Sequence, residues 1–474
     1  MTGQGLHMIQ KFSLQNFKAW ENTGNIRFAP ITVFFGPNSS GKTSLMQSLL
    51  LLKQTVDSPD RQNALHLGDQ KTPVDLGTLS DILYTHNPEK KLDIRIDWIL
   101  PEELKIRNVL NKFKYRANIL GFEAQIGTQL PSERPILERF EYTLKHAQSD
   151  QCSFSMQLDS DNSKTKSTAY RLEAKSYDLK RTRGRKWTLP QPDKFYGFPD
   201  EAVAYYQNTG FLPDLSLELE RLFSRIHYVG PLRGYPRRSY IWSGEVPEHV
   251  GILGERAIES LLAARQRHFN RGPNTRYKPF EEVIARWMQD MRLIESFDVQ
   301  QIAPNRKEYE VTVRSGSQMP PVRLTDVGFG ISQVLPVIVE CFYVPANSIV
   351  LFEQPEIHLH PSVQADLADL FIEAVQAREH GVGDRDIQLI VESHSEHFLR
   401  RLQRRIAEEA IAPDDIAMYF CSTQKQGSII QELEVDDYGN ISNWPENFFG
   451  DEMGDLLAMT EAAMRRQQDD EGQM

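Results

Sequence analysis

Cysteine is scarce in this chain of 474 residues: Cys152, Cys341 and Cys421 are too few and too scattered for a disulfide framework or a CxxC metal clamp, which points to a reducing, cytoplasmic interior. Long apolar runs are missing too. Residues 334–339 and 348–352 fall far short of the roughly 20 residues that a membrane-spanning helix needs, so no membrane partner is expected. The first ten residues hold no charged segment followed by an apolar stretch, and no signal peptide is expected. Positive charge is not in excess: 54 Lys and Arg stand against 65 Asp and Glu, a net charge of −11. That argues against a uniformly basic coat for nucleic acid but not against a local patch. Neither an internal repeat nor sustained heptads occur, which excludes a solenoid and a long coiled coil. What remains is an ordinary globular composition, 40% apolar and 25% charged, in a length that allows roughly three domain-sized units.

Alternation over residues 9–16, and a hint of it at 26–28, predicts two short opening strands. The run Ile31-Thr32-Val33-Phe34-Phe35 reads as a buried strand that stops at Gly36, and residues 44–54, with Leu45, Met46, Leu49, Leu50 and Leu52 among them and no Gly or Pro, read as a packed helix. Residues 87–225 change character. Alternating segments between Pro-containing turns predict an inserted antiparallel sheet there, with helical pieces near 101–114 and 214–223. Helical spacing covers 255–269 and 279–291, and 309–313 alternates as a strand. A helix follows Ser332 with Pro336 in its first turns. A buried strand at 349–352, a helix at 362–379, a strand at 388–391 and a helix at 396–410 complete the rhythm of a parallel sheet. Residues 465–474 are polar and expected to fray.

Gly36-Pro37-Asn38-Ser39-Ser40-Gly41-Lys42-Thr43, followed by Ser44, fits GxxxxGK[ST] between a strand and a helix, the context the Walker A motif requires. Its N–H groups would cradle phosphate at a helix start, Lys42 would reach the β and γ phosphates, and Thr43 would ligate Mg²⁺. Such a site needs an acid at the tip of a neighbouring strand, and Glu353 ends the 349–352 run as a Walker B acid. Gln354-Pro355-Glu356-Ile357-His358-Leu359-His360-Pro361 follows, too polar for a merely structural turn. Gly328, Gly330, Ser332 and Gln333 form either a second anion-receptive helix end or a plain helix cap. His394, just past the third strand, lies where it could sense the γ-phosphate. With His358, His360 and His397 it could instead suggest zinc, though on HxH and HxxH spacings that lack a cysteine.

Taken together, these segments resemble the ABC-type ATPase head shared by chromosome-maintenance proteins and the overcoming-lysogenisation-defect nucleases. The wording Glu-Gln-Pro-Glu-x-His-Leu-His-Pro and Glu-Ser-His-Ser is similar, more narrowly, to bacterial stand-alone AAA-type ATPases of that clade, many of them encoded in anti-phage defence islands. Residues 437–449 are similar to the short C-terminal domain of unknown function in these ATPases. The resemblance spans 8–86 and 226–450 and leaves 87–225 unmatched. It implies an α/β fold, a P-loop NTPase head of ABC type with a mixed sheet, interrupted by an inserted antiparallel β-rich and helical region. The expected division is 1–86, the N-terminal part of the head with Walker A; 87–225, the insertion; 226–320, a helical and connecting part; 321–425, the C-terminal part with signature, Walker B and His switch; and 426–474, a small C-terminal domain and polar tail. It also implies ATP and Mg²⁺ held between two heads, with Gly330 and Ser332 acting in trans, and hence a homodimer or higher homo-oligomer.

Two departures stand out. Gln354 occupies the place of the usual glutamate base, and an amide cannot accept a proton from attacking water, so either Glu356 takes the task or turnover is slow. The related nucleases carry a metal-dependent TOPRIM domain after the head. Here Asp436-Asp437 lacks its Asp-x-Asp spacing, so no intrinsic nuclease is expected and DNA cutting would fall to a separate effector protein. Residues 164–186, opening on Lys164 and closing on Lys186, hold nine Lys or Arg against two acids, with Tyr170 and Tyr177 interleaved. They form either a solvated loop or a DNA or RNA contact. Arg400, Arg401, Arg404 and Arg405 share a helix side as an exposed face or a phosphate contact. Three readings follow: a slow, dimerising ATPase regulating a defence effector; a RecF-like DNA-repair or chromosome-maintenance ATPase; or a scaffold that holds ATP without cleaving it.

Overall fold

Apolar residues without a polar alternate must be buried on both faces of a sheet, and in the computed structural model all five residues of the Ile31–Phe35 strand (β1) are buried at the centre of one. The description covers residues 8–463 except 109–113, 130–131, 148, 160–168, 185–187, 271, 273–274, 317, 426 and 446–457. The central sheet adds Ile226–Val229 (β2), Ile349–Glu353 (β3), Gln388–Glu392 (β4), Ile416–Gln424 (β5) and Gly427–Glu432 (β6) in the spatial order β2-β3-β4-β1-β5-β6. All neighbours are parallel except the β5–β6 hairpin. Four helices flank it: Lys42–Asp57 (α1), Phe329–Tyr343 (α2), Pro361–Gln376 (α3) and Glu396–Ala407 (α4).

The pleat sorts successive strand residues to opposite faces. Phe34, Leu351, Ile390 and Tyr419 enter one core with the leucines of α1. Val33, Phe35, Val350, Phe352, Leu389 and Val391 enter a second with α2, α3 and α4. Both cores therefore brace the same carboxyl ends of β1, β3 and β4.

The expected antiparallel sheet exists and is continuous with the N-terminus: Ile9–Phe17 pairs with Trp20–Asn22 and Ile26–Arg27 on one side and with Leu92–Arg107 on the other. Lys114–Gln129, Arg134–His146, Ser149–Leu158 and Tyr170–Lys175 extend it in that order. The helical piece expected near 101–114 is contradicted over its described first half, where Leu92–Arg107 stays extended, with Leu104 opposite Ala117 and Arg107 opposite Lys114; residues 109–113 lie outside the described residues. Pro101 falls in the register break between Ile99 and Leu104, where its missing N–H costs no ladder bond. Two helices are shorter than expected. Residues 255–269 give only Ala257–Ala263, because His268–Asn270 pairs as a strand with Arg378–Glu379, which in turn stops α3 at Gln376. Arg267 secures that junction by a two-pronged bond to Glu379 of 2.7 and 2.8 Å. In contrast, α2 begins earlier than Ser332, capped at Gly328, with Pro336 well inside it.

Candidate functional site

The loop after β1 needs backbone that L side chains resist. Gly36 has φ +142°, and a Cβ there would lie 2.1 Å from the Cys421 carbonyl oxygen; Gly41 has φ +92° against the Trp20 ring and the Ser428 hydroxyl. Trp20 Nε1 donates to the Gly41 carbonyl at 3.0 Å, so the antiparallel sheet fixes the point where α1 starts. Inside this loop Lys42, only 3% exposed, donates from Nζ to the carbonyls of Gly36 at 2.9 Å and Pro37 at 2.7 Å. Burial lowers its pKa, and the negative charge of Glu392 most strongly opposes that shift. Asn38 and Ser39 form the turn of the loop, Ser40 is buried, and Ser44 lies in the first turn of α1.

Three carboxylates converge beside the loop. The parallel register of β3 and β4 sets Glu353 and Glu392 side by side at their ends. Glu353 Oε2 accepts from the Tyr228 hydroxyl at 2.6 Å, and burial raises its pKa. Glu392, 1% exposed, accepts from the Thr43 hydroxyl at 3.0 Å through Oε1, while its Oε2 has no hydrogen-bond partner among the described residues. Burial first, and then the Glu353 charge, push Glu392 up to about 7. Glu356 accepts the His394 N–H at 2.6 Å through Oε1, and burial raises its pKa against the opposing hydrogen bonds of the His394 amide and the Ser393 hydroxyl.

Gln354, in the left-handed region at φ +45°, links this turn to His394: its Nε2 donates to the ring Nε2 at 3.2 Å. Burial and then Lys42 lower His394 to about 4, so the ring is neutral at pH 7 and can accept that bond. Arg233, 5% exposed, faces the carbonyls of Glu353, Gln354 and Pro355 at 3.4–3.5 Å. The signature segment lies elsewhere: Gly330 adjoins the His358 carbonyl, Gln333 is buried, and Ser332 lines a cavity of about 350 Å³ with Tyr235, Arg237, Tyr240 and Pro336. One chain thus assembles Gly36–Thr43, Glu353, Gln354, Glu356 and His394, while the cavity that Ser332 lines includes none of them.

A family profile for the AAA ATPase domain matches residues 8–188 and 272–399, well over half of the chain. The chain belongs to the AAA ATPase domain family. It is therefore an ATP-binding ATPase with a P-loop α/β fold. A second profile, for a protein family of unknown function (DUF3696), matches residues 411–459. No curated protein matches the sequence. Solved structures similar to this AAA ATPase include an Smc head bound to the C-winged helix domain of ScpA (12% identity, 90% of this chain and 98% of that one, TM-score 0.41). Another is the SMC head domain from Thermotoga maritima (10%, 90% and 99%, TM-score 0.38). A third is the Smc head domain with an extended coiled coil from Pyrococcus furiosus, bound to the C-terminal domain of ScpA (12%, 90% and 96%, TM-score 0.40). Likenesses this distant add no functional inference.

An AAA ATPase ordinarily uses Mg²⁺ with ATP. The Thr43 hydroxyl, the Glu353 carboxylate and the unpartnered buried oxygen of Glu392 are hard oxygen donors that fit such an ion. Among the described residues no three His, Cys, Asp or Glu side chains are placed to hold one metal ion by themselves, so phosphate and water oxygens would supply the remaining ligands. Sequence reasoning passed over Glu392, Tyr228 and Arg233 as site residues. The signal for Glu392 was present, because it ends its strand at the position Glu353 holds in the next one.

The four arginines of α4 are engaged in ion pairs. Arg401 and Arg405 reach Asp369 of α3 at 2.5 and 2.6 Å, and Arg400 and Arg404 pair with Glu396 and Glu408. Of the basic stretch at 164–186, residues 164–168 and 185–186 lie outside the described residues; Lys180, Arg181 and Arg183 are exposed. Residues 446–449 of the C-terminal motif are also outside them.

Proposed function

We propose that this ATPase dimerises around ATP, hydrolyses it slowly, and acts as sensor and regulator of a separate effector, such as a nuclease, in bacterial anti-phage defence. The observation that carries the slow-switch reading is Gln354. Directly after the Walker B acid stands an amide bonded to a neutral His394, where a carboxylate would take the proton of the attacking water. Glu356 is the replacement base: its raised pKa favours proton uptake, while its burial and its bond to the His394 amide keep the step slow.

In this reading the Gly36–Thr43 amides and Lys42 bind the phosphates, Thr43 and Glu353 hold Mg²⁺, and His394 senses the γ-phosphate from the loop's edge. Bound Mg²⁺ would neutralise charge on the phosphate oxygens. The cavity that Ser332 lines includes no residue of its own chain's Gly36–Thr43 loop, which supports its serving a second copy. The defence role rests on the sequence wording around Glu353 and His394. The test is Gln354→Glu, which restores a carboxylate and should raise phosphate release by at least about tenfold. Unchanged or lower release would contradict the reading.

A second reading, an ATPase of RecF-like habit that binds DNA directly, is favoured by the exposed Lys180, Arg181 and Arg183. ATP-dependent DNA binding that is lost on neutralising these three would select it.

A further inference from the structure

We propose that Glu392, at the tip of the strand between β1 and β3, is a further carboxylate, beside Glu353, through which this chain holds the divalent cation that accompanies ATP. The proposal rests on the nucleotide reading of the loop. The Thr43 hydroxyl is the group from Walker A that a magnesium ion seeks, and the acid it meets is Glu392, at 3.0 Å, not Glu353. Glu353 is otherwise engaged, with Oε2 held by the Tyr228 hydroxyl at 2.6 Å.

The second oxygen of Glu392 is the stronger argument. The residue is 1% exposed and Oε2 has no partner among the described residues, a costly arrangement for a carboxylate unless a cation comes to it. Lys42 is near enough to act on Glu392 by its charge, but its ammonium is hydrogen-bonded to the Gly36 and Pro37 carbonyls and not to this oxygen. The β3–β4 register then places Glu353 beside it as a second, outer carboxylate. One hydroxyl and two carboxylates, completed by phosphate and water oxygens, are a donor set for Mg²⁺ or Mn²⁺ and a poor one for Zn²⁺.

The experiment compares the affinity of a fluorescent ATP analogue with and without Mg²⁺ in the full chain, and follows bound Mn²⁺ by electron paramagnetic resonance. Wild type should bind the analogue roughly tenfold or more tightly with Mg²⁺ than in EDTA. In Glu392→Gln, whose amide oxygen can still accept from Thr43, that ratio should fall to near one and the bound-Mn²⁺ signal should vanish. A full Mg²⁺ gain and an undiminished Mn²⁺ signal in Glu392→Gln would overturn the proposal. If Glu392→Gln binds no analogue even in EDTA, Glu392→Asp decides: a weakened Mn²⁺ signal supports the assignment and an unweakened one refutes it. Wild type that binds no analogue under either condition would fail the nucleotide reading itself, a distinct result.

Discussion

At the scale of single residues, the Gly36–Thr43 loop depends on backbone that only glycine adopts cheaply. Gly36→Ala combines a φ of +142° with a Cβ 2.1 Å from the Cys421 carbonyl, and that atom belongs to the backbone of an adjacent strand, so it cannot swing aside. We expect this variant to lose about 2–4 kcal/mol of stability and most of its ATP binding. Gly24→Ala, at a positive φ with no neighbour within 4 Å, should cost about 1 kcal/mol or less and leave ATP binding intact. Thermal melts and a fluorescent-nucleotide titration check both; equal losses in the two would deny the loop its close packing. His394 belongs to the same scale, since its neutrality is what lets Gln354 donate to it.

Elements transmit what residues set. Glu340, fully buried in α2, holds the Val250 N–H at 3.0 Å through Oε2, while its Oε1 is unpartnered among the described residues. Burial pushes its carboxyl from 4.5 up to about 8. Between those two values the folded protein keeps a proton that the unfolded chain releases, so this group's contribution to stability falls as pH rises from about 4.5 to about 8 and is level above that. Glu340→Gln, permanently neutral and able to accept the same bond, should therefore gain Tm over wild type progressively from pH 5 to pH 8. Parallel melting curves for the two proteins would contradict this. The β5–β6 hairpin is another such element. It lies within the segment of unknown function, yet it walls the nucleotide loop, with the Cys421 carbonyl against Gly36 and Thr423 Oγ1 donating to the Ser39 carbonyl at 3.3 Å.

Much of this was legible in residue order. β1, β3 and β4 announce themselves because strands buried on both faces read as unbroken apolar runs, and the Gly36–Thr43 motif announces itself by its fixed spacing. The reading failed where partners distant in sequence decide. Residues 101–107 stay extended because Lys114–Gln129 pairs with them across the Pro101 irregularity, and α3 stops at Gln376 because Arg378–Glu379 meets His268–Asn270. Glu392 escaped notice for the same reason: its importance lies in facing Thr43, 349 residues away.

On the scale of the whole molecule, one chain supplies the phosphate loop, the acids and the histidine, and carries Ser332 at the wall of a separate cavity beside the exposed side chains of Tyr235 and Leu253. A second copy placing its Ser332 against this loop would complete the nucleotide's surroundings, and nucleotide occupancy would then be reported to an effector as a change of assembly state. The measurement that bears most directly on this is the mass in solution, by sedimentation, of the wild type, Lys42→Ala and Ser332→Arg chains with saturating Mg²⁺ and ATP. The account predicts twice the mass of one chain for wild type and a single chain for both variants, with Ser332→Arg still binding nucleotide. A wild-type chain that binds ATP and stays single, or a Lys42→Ala chain that doubles as readily as wild type, would contradict it.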